Sequence, residues 1–571
     1  SEANVWTLEN AETWWQQGGW LVSLGHQWTP NDKTIVDTQI STSDNYIRLR
    51  PAQWKDCKAY DDDGFCNDDF DSSPGWFGSG AQSFSYGTYP YAYYTKRQRQ
   101  SLTTSVTRFA EFLGEHKLKA GVQGDILSTW SSSPGLEKGL VYFDDAGDPS
   151  NLEGYVPDTL VRYDNNGEAQ LGGYLLGAYL QDVWQPWQRL TLRPGLRLET
   201  SSFTNNRDEQ VYSAMTLAPR IGVAYDLTGD GRTRVHVYYG RFYDVGFLEV
   251  SELLSKDTNG GDYFHWDAQT NDWSSDPYYS FASSFEVHDD LKVPHSDEVD
   301  VGVLRDLGGG WAVGANFIYK ESNNLFEDDD VNLIWSDDGT TQLGSRDGTG
   351  EARYRLRTPD DAFMQYTSVE FTANRQFTEK WGMISSYTWS RSFGRERDDT
   401  SQGLASSAYD IPPTRQYEVG LMPYDVPHAL KIAGAWREPD LWSLGERSSI
   451  GSLFGWNQSF ESGFPYRPGY YNPTFADWSR VTEPIDGDYR MPAVAQTDLK
   501  TGLTLSAGET SWDLTIECFN VFNSRTATAI DTAVDDESGD ARTDEDGNLA
   551  FGQTLDRQSP RYFQFGLRGE F

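Results

Sequence analysis

The feature that most constrains this chain is a set of segments with period-two hydropathy, joined by links that are alternately very short and very long. In RLTLRPGLRLET, Leu192, Pro194, Leu196 and Leu198 share one side while Arg193, Arg197 and Glu199 share the other, the repeat a β-strand imposes on its side chains. GRTRVHVYYGRF sets Val235, Val237 and Tyr239 against Arg234, His236 and Tyr238, and EVDVGVLRDL sets Val299, Val301 and Val303 against Glu298 and Asp300. HKLKAGVQGD repeats the pattern, with Leu118, Ala120 and Val122 opposite Lys117, Lys119, Gln123 and Asp125. Each segment wants hydrocarbon on one face and water on the other. A soluble sandwich alternates in the same way, so the links have to separate the two cases.

Short links fall at Asn31 to Lys33, Gly114 to Glu115, Gln185 to Gln188, Thr228 to Gly231, Gly308 to Gly310, Thr378 to Lys380 and Ala507 to Glu509, with a longer one near Pro439 to Arg447. Between them lie long polar stretches at 51–97, 132–170, 204–212, 246–294, 323–362, 395–427, 465–493 and 526–560. Greek-key connections have no reason to keep that order over eight hairpins. An up-and-down membrane barrel has to, because its turns are short on the periplasmic side and its loops long outside. Eight hairpins and the terminal segment RYFQFGLRGEF predict about seventeen strands. In that last segment Phe563, Phe565, Leu567 and Phe571 oppose Tyr562, Gln564, Arg568 and Glu570. Trp184, Trp187, Trp311 and Trp381 beside short links, and Tyr239, Tyr319, Tyr387 and Trp389 further along apolar rows, fit the aromatic girdles of a bilayer interface.

Composition narrows the function. There are 86 Asp plus Glu against 47 Lys plus Arg, a net charge of −39, so the chain is unsuited to neutralising a row of nucleic-acid phosphates. Aromatics at 14% argue for a folded chain in spite of that acidity. No run approaches the ~18 apolar residues of a membrane helix, and the first ten residues, SEANVWTLEN, lack the basic and apolar regions of a signal peptide. Barrels escape such a search because their apolar residues occupy every second position. The seven histidines at 26, 116, 236, 265, 288, 295 and 428 show no HExxH spacing, and neither CxxC nor GxSxG occurs, so no enzyme site is expected.

Acidic loops are the most distinctive chemistry. In DCKAYDDDGFCNDDFD, Asp61, Asp62, Asp63, Asp68 and Asp69 could supply oxygens to Ca²⁺, and FEDDDVN and DDESGDARTDEDGN add two more clusters. A solvated acidic surface is the alternative, since none has the full EF-hand spacing. DLTGDGRT, Asp226 to Thr233, falls on a short link and reads as a turn. Cys57 and Cys66 are near enough to bridge in an oxidising compartment, two free thiols being the alternative. Cys518, alone in SWDLTIECFNVF, reads as a small wall residue. Alternation places Arg193, Arg197, Arg234, His236, Glu298, Asp300, Glu370, Asn374, Asp513 and Glu517 on the water side, where they would line the lumen.

Several stretches resemble the Oar-like TonB-dependent receptors of the bacterial outer membrane. They include LGAYLQDVWQPWQRLTLRPGLRLE, APRIGVAYDLTGDGRTRVHVYYGRFYD, HSDEVDVGVLRDLGGGWAVGANFIYKESNNL, SSYTWSRSFG, YDVPHALKIAGAW, FGWNQSFESGFPY, ECFNVFN and RYFQFGLRGEF. Their order and spacing from about Leu171 to Phe571 carry the likeness, and the first third matches loosely. The resemblance implies a 22-strand barrel with an N-terminal plug. This chain then reads as its last seventeen strands, with the plug, the TonB-coupling segment and about five strands lying outside it. It also implies an outer-membrane location with the long loops extracellular. Tyr562, Phe563, Phe565, Leu567 and Phe571 look like the terminal signal read by the barrel-assembly machinery. The implied partners are the missing plug and strands, TonB through them, and outer-membrane lipids. No cofactor is required; Ca²⁺ in the acidic external loops is one of the two readings that the residues themselves leave open.

Two function classes follow. The first is an energy-coupled transporter moving a large substrate, a peptide or protein rather than a small ion, by rearrangement of the plug. The second is a structural or adhesive barrel whose acidic outer loops bind a partner protein. An open diffusion pore is a third, and it requires an empty lumen.

Overall fold

The computed structural model describes residues 6–7, 13–51, 75–78, 84–86, 93–132, 140–143, 157–163, 169–246, 251, 260–267, 269–270, 272–277, 279–282, 285–288, 291–337, 339–348, 353–378, 380–395, 412–445, 447–472, 477–536, 538–544 and 547–570. Among them no helix is long and apolar enough to cross a membrane; crossing is left to strands. Seventeen long strands, with the three-residue strand Val419–Leu421 added against the end of one of them, form one barrel sheet: β1 (Thr13–Asn31), β2 (Thr34–Pro51), β3 (Tyr93–Glu111), β4 (Glu115–Ser132), β5 (Ala169–Trp187), β6 (Leu190–Thr204), β7 (Gln210–Asp226), β8 (Thr233–Tyr243) and β9 (His295–Gly308). The circuit continues with β10 (Trp311–Asn323), β11 (Phe363–Thr378), β12 (Trp381–Arg395), β13 (His428–Gly445), β14 (Ser448–Glu461), β15 (Val494–Ala507), β16 (Thr510–Phe519) and β17 (Tyr562–Glu570).

Every strand pairs antiparallel with the next in chain order, through sixteen ladders from β1–β2 to β16–β17. Seventeen strands in strict alternation leave β1 and β17 running the same way, both toward the short-turn end. Among the described residues no ladder joins these two, and both are exposed along nearly their whole length.

Register keeps the two faces apart. Leu180 lies opposite Leu196, Val237 opposite Val301, Phe317 opposite Val369 and Ile516 opposite Phe565. A one-residue slip anywhere would carry a polar row into this apolar band. At the short-turn end Trp311 and Trp381 meet edge to face, 5.8 Å apart at 75°.

The turns are as tight as their residues allow. Gly308, Gly309 and Gly310 all take positive φ, and Leu113 (φ 50°) with Gly114 (φ 114°) closes the β3–β4 hairpin, conformations that cost a side chain energy and glycine little. In DLTGDGRT, Asp226 accepts the N–H groups of Gly229 and Gly231, each at 2.9 Å, and Asp230 accepts that of Arg232 at 3.0 Å; the segment is a turn. Two link lengths differ from expectation. β13 continues through Pro439 to Gly445, bulging between Glu438 and Trp442, so the link there is as short as its neighbours. The stretch 204–212 closes within residues 205–209, because Asn205 Oδ1 accepts the N–H groups of Arg207 and Glu209 at 3.0 and 3.1 Å.

Candidate functional site

All ten residues singled out by alternation stand on the face opposite the apolar rows, in two groups that interact and one that does not. Between β8, β9 and β10, His236 Nε2 lies 2.8 Å from Asp300 Oδ1, and Asn316 Nδ2 donates to Asp300 Oδ2 at 2.7 Å. Gly302 makes room for this trio, since a Cβ there would sit 2.4 Å from both Asn316 Oδ1 and His236 Cε1. Elsewhere Arg197 Nε donates to Glu199 at 2.8 Å, Thr504 donates to Asp513 at 2.5 Å, Lys500 pairs with Glu517, and Asn374 Oδ1 accepts the Ser385 N–H at 3.0 Å. Arg193 stands opposite Gly222, Arg234 opposite Asp226, Glu298 opposite Lys320, and Glu370 opposite Asn316 and Thr388. They form distributed polar rows.

The second part of the site, which sequence reasoning did not find, is a set of arginine–carboxylate staples among the long loops. Arg395 at the end of β12 is 4% exposed and donates to Asp361, to the Asp361 carbonyl at 3.1 Å and to the Arg415 carbonyl at 2.9 Å. Asp329 receives both Arg357 and Arg415, the latter at 2.7 Å. Asp425, 1% exposed, takes Arg490 at 2.7 Å and the Ser392 N–H at 2.6 Å. Arg467 reaches Glu418 at 3.7 Å. Backbone bonds continue the chain: Leu421 N donates to Ile485 O at 2.7 Å, Gly469 N to Thr532 O at 2.9 Å, and the Tyr471 N–H to Asp535 at 2.6 Å. On the other side Phe285–Val287 pairs in parallel with Tyr354–Leu356. The loops following β8, β10, β12, β14 and β16 are therefore joined in one rim. Ion pairs between distant loops leave no periodic trace in the sequence, so nothing there pointed to this rim.

An apolar core supports the rim from inside. Phe203 and Tyr212, on the polar-row side of β6 and β7, pack with loop residues Phe326 and Leu356, and the Tyr212 and Phe326 rings meet edge to face at 5.5 Å. The segment after β10 thus folds inward to the barrel wall.

Two of the FEDDDVN carboxylates, Asp329 and Asp330, are used internally. Asp329 holds its two arginines, while Asp330 accepts N–H groups of Asn332, Leu333 and Arg353 at 2.8 to 3.2 Å. Among the described residues no group of three or more His, Cys, Asp or Glu converges on a metal position. Asp61, Asp62, Asp63, Asp68, Asp69, Cys57, Cys66 and Phe571 lie outside the described residues. Tyr562, Phe563, Phe565 and Leu567 form β17, where Phe563 faces Cys518.

A barrel with an apolar belt, a polar opposite face, short turns at one end and interlocked loops at the other is a transmembrane barrel of the bacterial outer membrane. The chain matches the family model described as an outer membrane beta barrel domain over residues 4–215 and 211–476, and it belongs to that family. It is 24% identical to the TonB-dependent transporter Oar of Myxococcus xanthus over 83% of this chain and 51% of that one. The outer-membrane transporter YddB from Escherichia coli superposes with a TM-score of 0.60 at 12% identity, covering 99% of this chain and 64% of that one. The pyoverdine receptor FpvA of Pseudomonas aeruginosa superposes with a TM-score of 0.53 at 14% identity, over 98% of this chain and 62% of that one. The chain thus spans between half and two thirds of the length of these relatives.

Proposed function

We propose that this chain is the greater part of the barrel of an energy-coupled outer-membrane transporter, completed by further strands and by a plug that fills its lumen. The observation that carries this reading is the pair of edges. β1 and β17 run in the same direction and have no ladder to each other among the described residues, so an odd number of additional strands would give antiparallel pairing all round the barrel. Five would bring the total to twenty-two, the size at which such barrels are plugged. Left bare in a bilayer, each edge would leave backbone groups unpaired at several kcal/mol apiece.

The polar face then turns inward, where the His236–Asp300–Asn316 trio and the rows around Arg197, Glu370 and Glu517 hydrogen-bond the plug. TonB would act through the plug. The rim of stapled loops surrounds the entrance, and its acidity suits a peptide or protein cargo bearing cationic side chains over an anionic metal chelate. No bond is made or broken in such a cycle. Conductance of the barrel purified from native outer membranes tests the reading. A small, flickering current is expected of a plugged lumen, whereas a large steady current would mark an open pore.

The rim also favours a second reading, an adhesive barrel, because ion pairs and hydrogen bonds that hold five loops together preserve a fixed outer surface. Uptake that stops when the proton gradient is collapsed separates the two, since adhesion needs no gradient.

A further inference from the structure

Three arginines stand on the apolar face, where the sheet meets the short-turn end of the bilayer. Arg108 lies in the row of Leu102 and Val106 on β3, Arg305 in the row of Val301 and Val303 on β9, and Arg375 in the row of Val369 and Phe371 on β11. Each is three or four residues from its turn. Each is also tethered by one N–H: Arg108 to Thr34 Oγ1 at 2.7 Å, Arg305 to Thr233 Oγ1 at 2.8 Å, and Arg375 to the Trp381 carbonyl at 2.5 Å, with its guanidinium 3.9 Å above the Trp381 ring. None has a carboxylate partner among the described residues.

Their neighbours at the same level behave differently. His116 is bound to Asp182 at 2.5 Å and Lys380 to Glu438, and toward the outer end of the apolar rows Arg241 has Asp297 at 2.6 Å. In a chain of net charge −39, leaving three arginines unmatched on the lipid side of one rim is a local reversal of sign. A guanidinium tethered through one N–H keeps the rest of its fork for a planar or tetrahedral oxyanion. At this depth, with its stem along the apolar row, that oxyanion is a headgroup phosphate.

We propose that Arg108, Arg305 and Arg375 form a belt of phosphate-binding points for anionic phospholipids of the periplasmic leaflet, fixing the height of the barrel in the membrane. The proposal rests on the outer-membrane placement of the barrel and is independent of transport.

The test is native mass spectrometry of the barrel, purified with whatever strands and plug accompany it and loaded with phosphatidylglycerol in detergent. Each Arg→Gln change is expected to weaken retention of phosphatidylglycerol about fivefold, and the triple variant roughly 100-fold. Arg→Lys at the same positions should keep part of it. Arg193→Gln, on the opposite face, is the control and should leave phosphatidylglycerol retention at the wild-type level. Heat-modifiable migration on gels confirms that each variant is folded, and the single variants carry the test if the triple one is not. Equal retention by folded wild-type and variant barrels would overturn the proposal. So would displacement of the lipid by low millimolar inorganic phosphate, which would make these general anion sites.

Discussion

At the scale of single residues, burial decides which of the many ion pairs matter. Lys292 and Asp360 meet at 2.6 Å, but Asp360 is 90% exposed, so water and salt screen the pair. The lysine beside it holds the Asp360 carboxyl below the usual carboxylate range. Its contribution is therefore present above the unfolded-state value and fades as pH falls through the lower folded one. Asp360→Asn should leave the unfolding curve at neutral pH unchanged. Asp425 is the opposite case. Removing it by Asp425→Ala leaves the half-buried Arg490 without its charge partner and the Ser392 N–H without its acceptor, at a cost of about 2–3 kcal/mol, felt locally as lost hydrogen-exchange protection in 421–427 and 484–491. Gly302→Ala should cost about 1–3 kcal/mol by forcing His236 and Asn316 apart, read as a lower temperature for loss of the folded, heat-modifiable band. None of these three positions differs in the sequence from dozens of other aspartates and glycines; burial and register distinguish them, and both arise only when strands far apart in the chain are brought together.

At the scale of elements, alternation was enough to place the strands. RLTLRPGLRLET and EVDVGVLRDL are β6 and β9 with the faces expected of them, because a strand between lipid and water has little freedom in what each side carries. Val301→Arg, in the middle of the lipid row of β9, should destabilise the barrel by about 2–4 kcal/mol. Glu298→Gln on the other face of the same strand should stay within about 0.5 kcal/mol. Denaturant titration of the barrel in micelles, followed by tryptophan emission, compares the two. Where the sequence misled, at Pro439 to Arg447 and at 204–212, local chemistry intervened: a bulge let a proline-bearing segment remain in the sheet, and an asparagine folded a polar stretch into a tight turn. The staples of the rim were illegible for a different reason. Arg395, Arg415, Arg467 and Arg490 are ordinary charged loop residues until the loops meet.

At the scale of the whole molecule, the strand count and the direction of the two edges belong together. On the function proposed above, seventeen strands whose first and last run parallel are most of a barrel, and the polar face, the inward-folded segment at Phe326 and the acidic rim would face a plug and guard the entrance to it. The most direct test is electron cryo-microscopy of the barrel extracted from native outer membranes without boiling. The account predicts β1 and β17 each paired antiparallel with strands outside residues 13–570, twenty-two strands in all, around a filled lumen. A seventeen-strand barrel closed by a parallel ladder between β1 and β17 would contradict it.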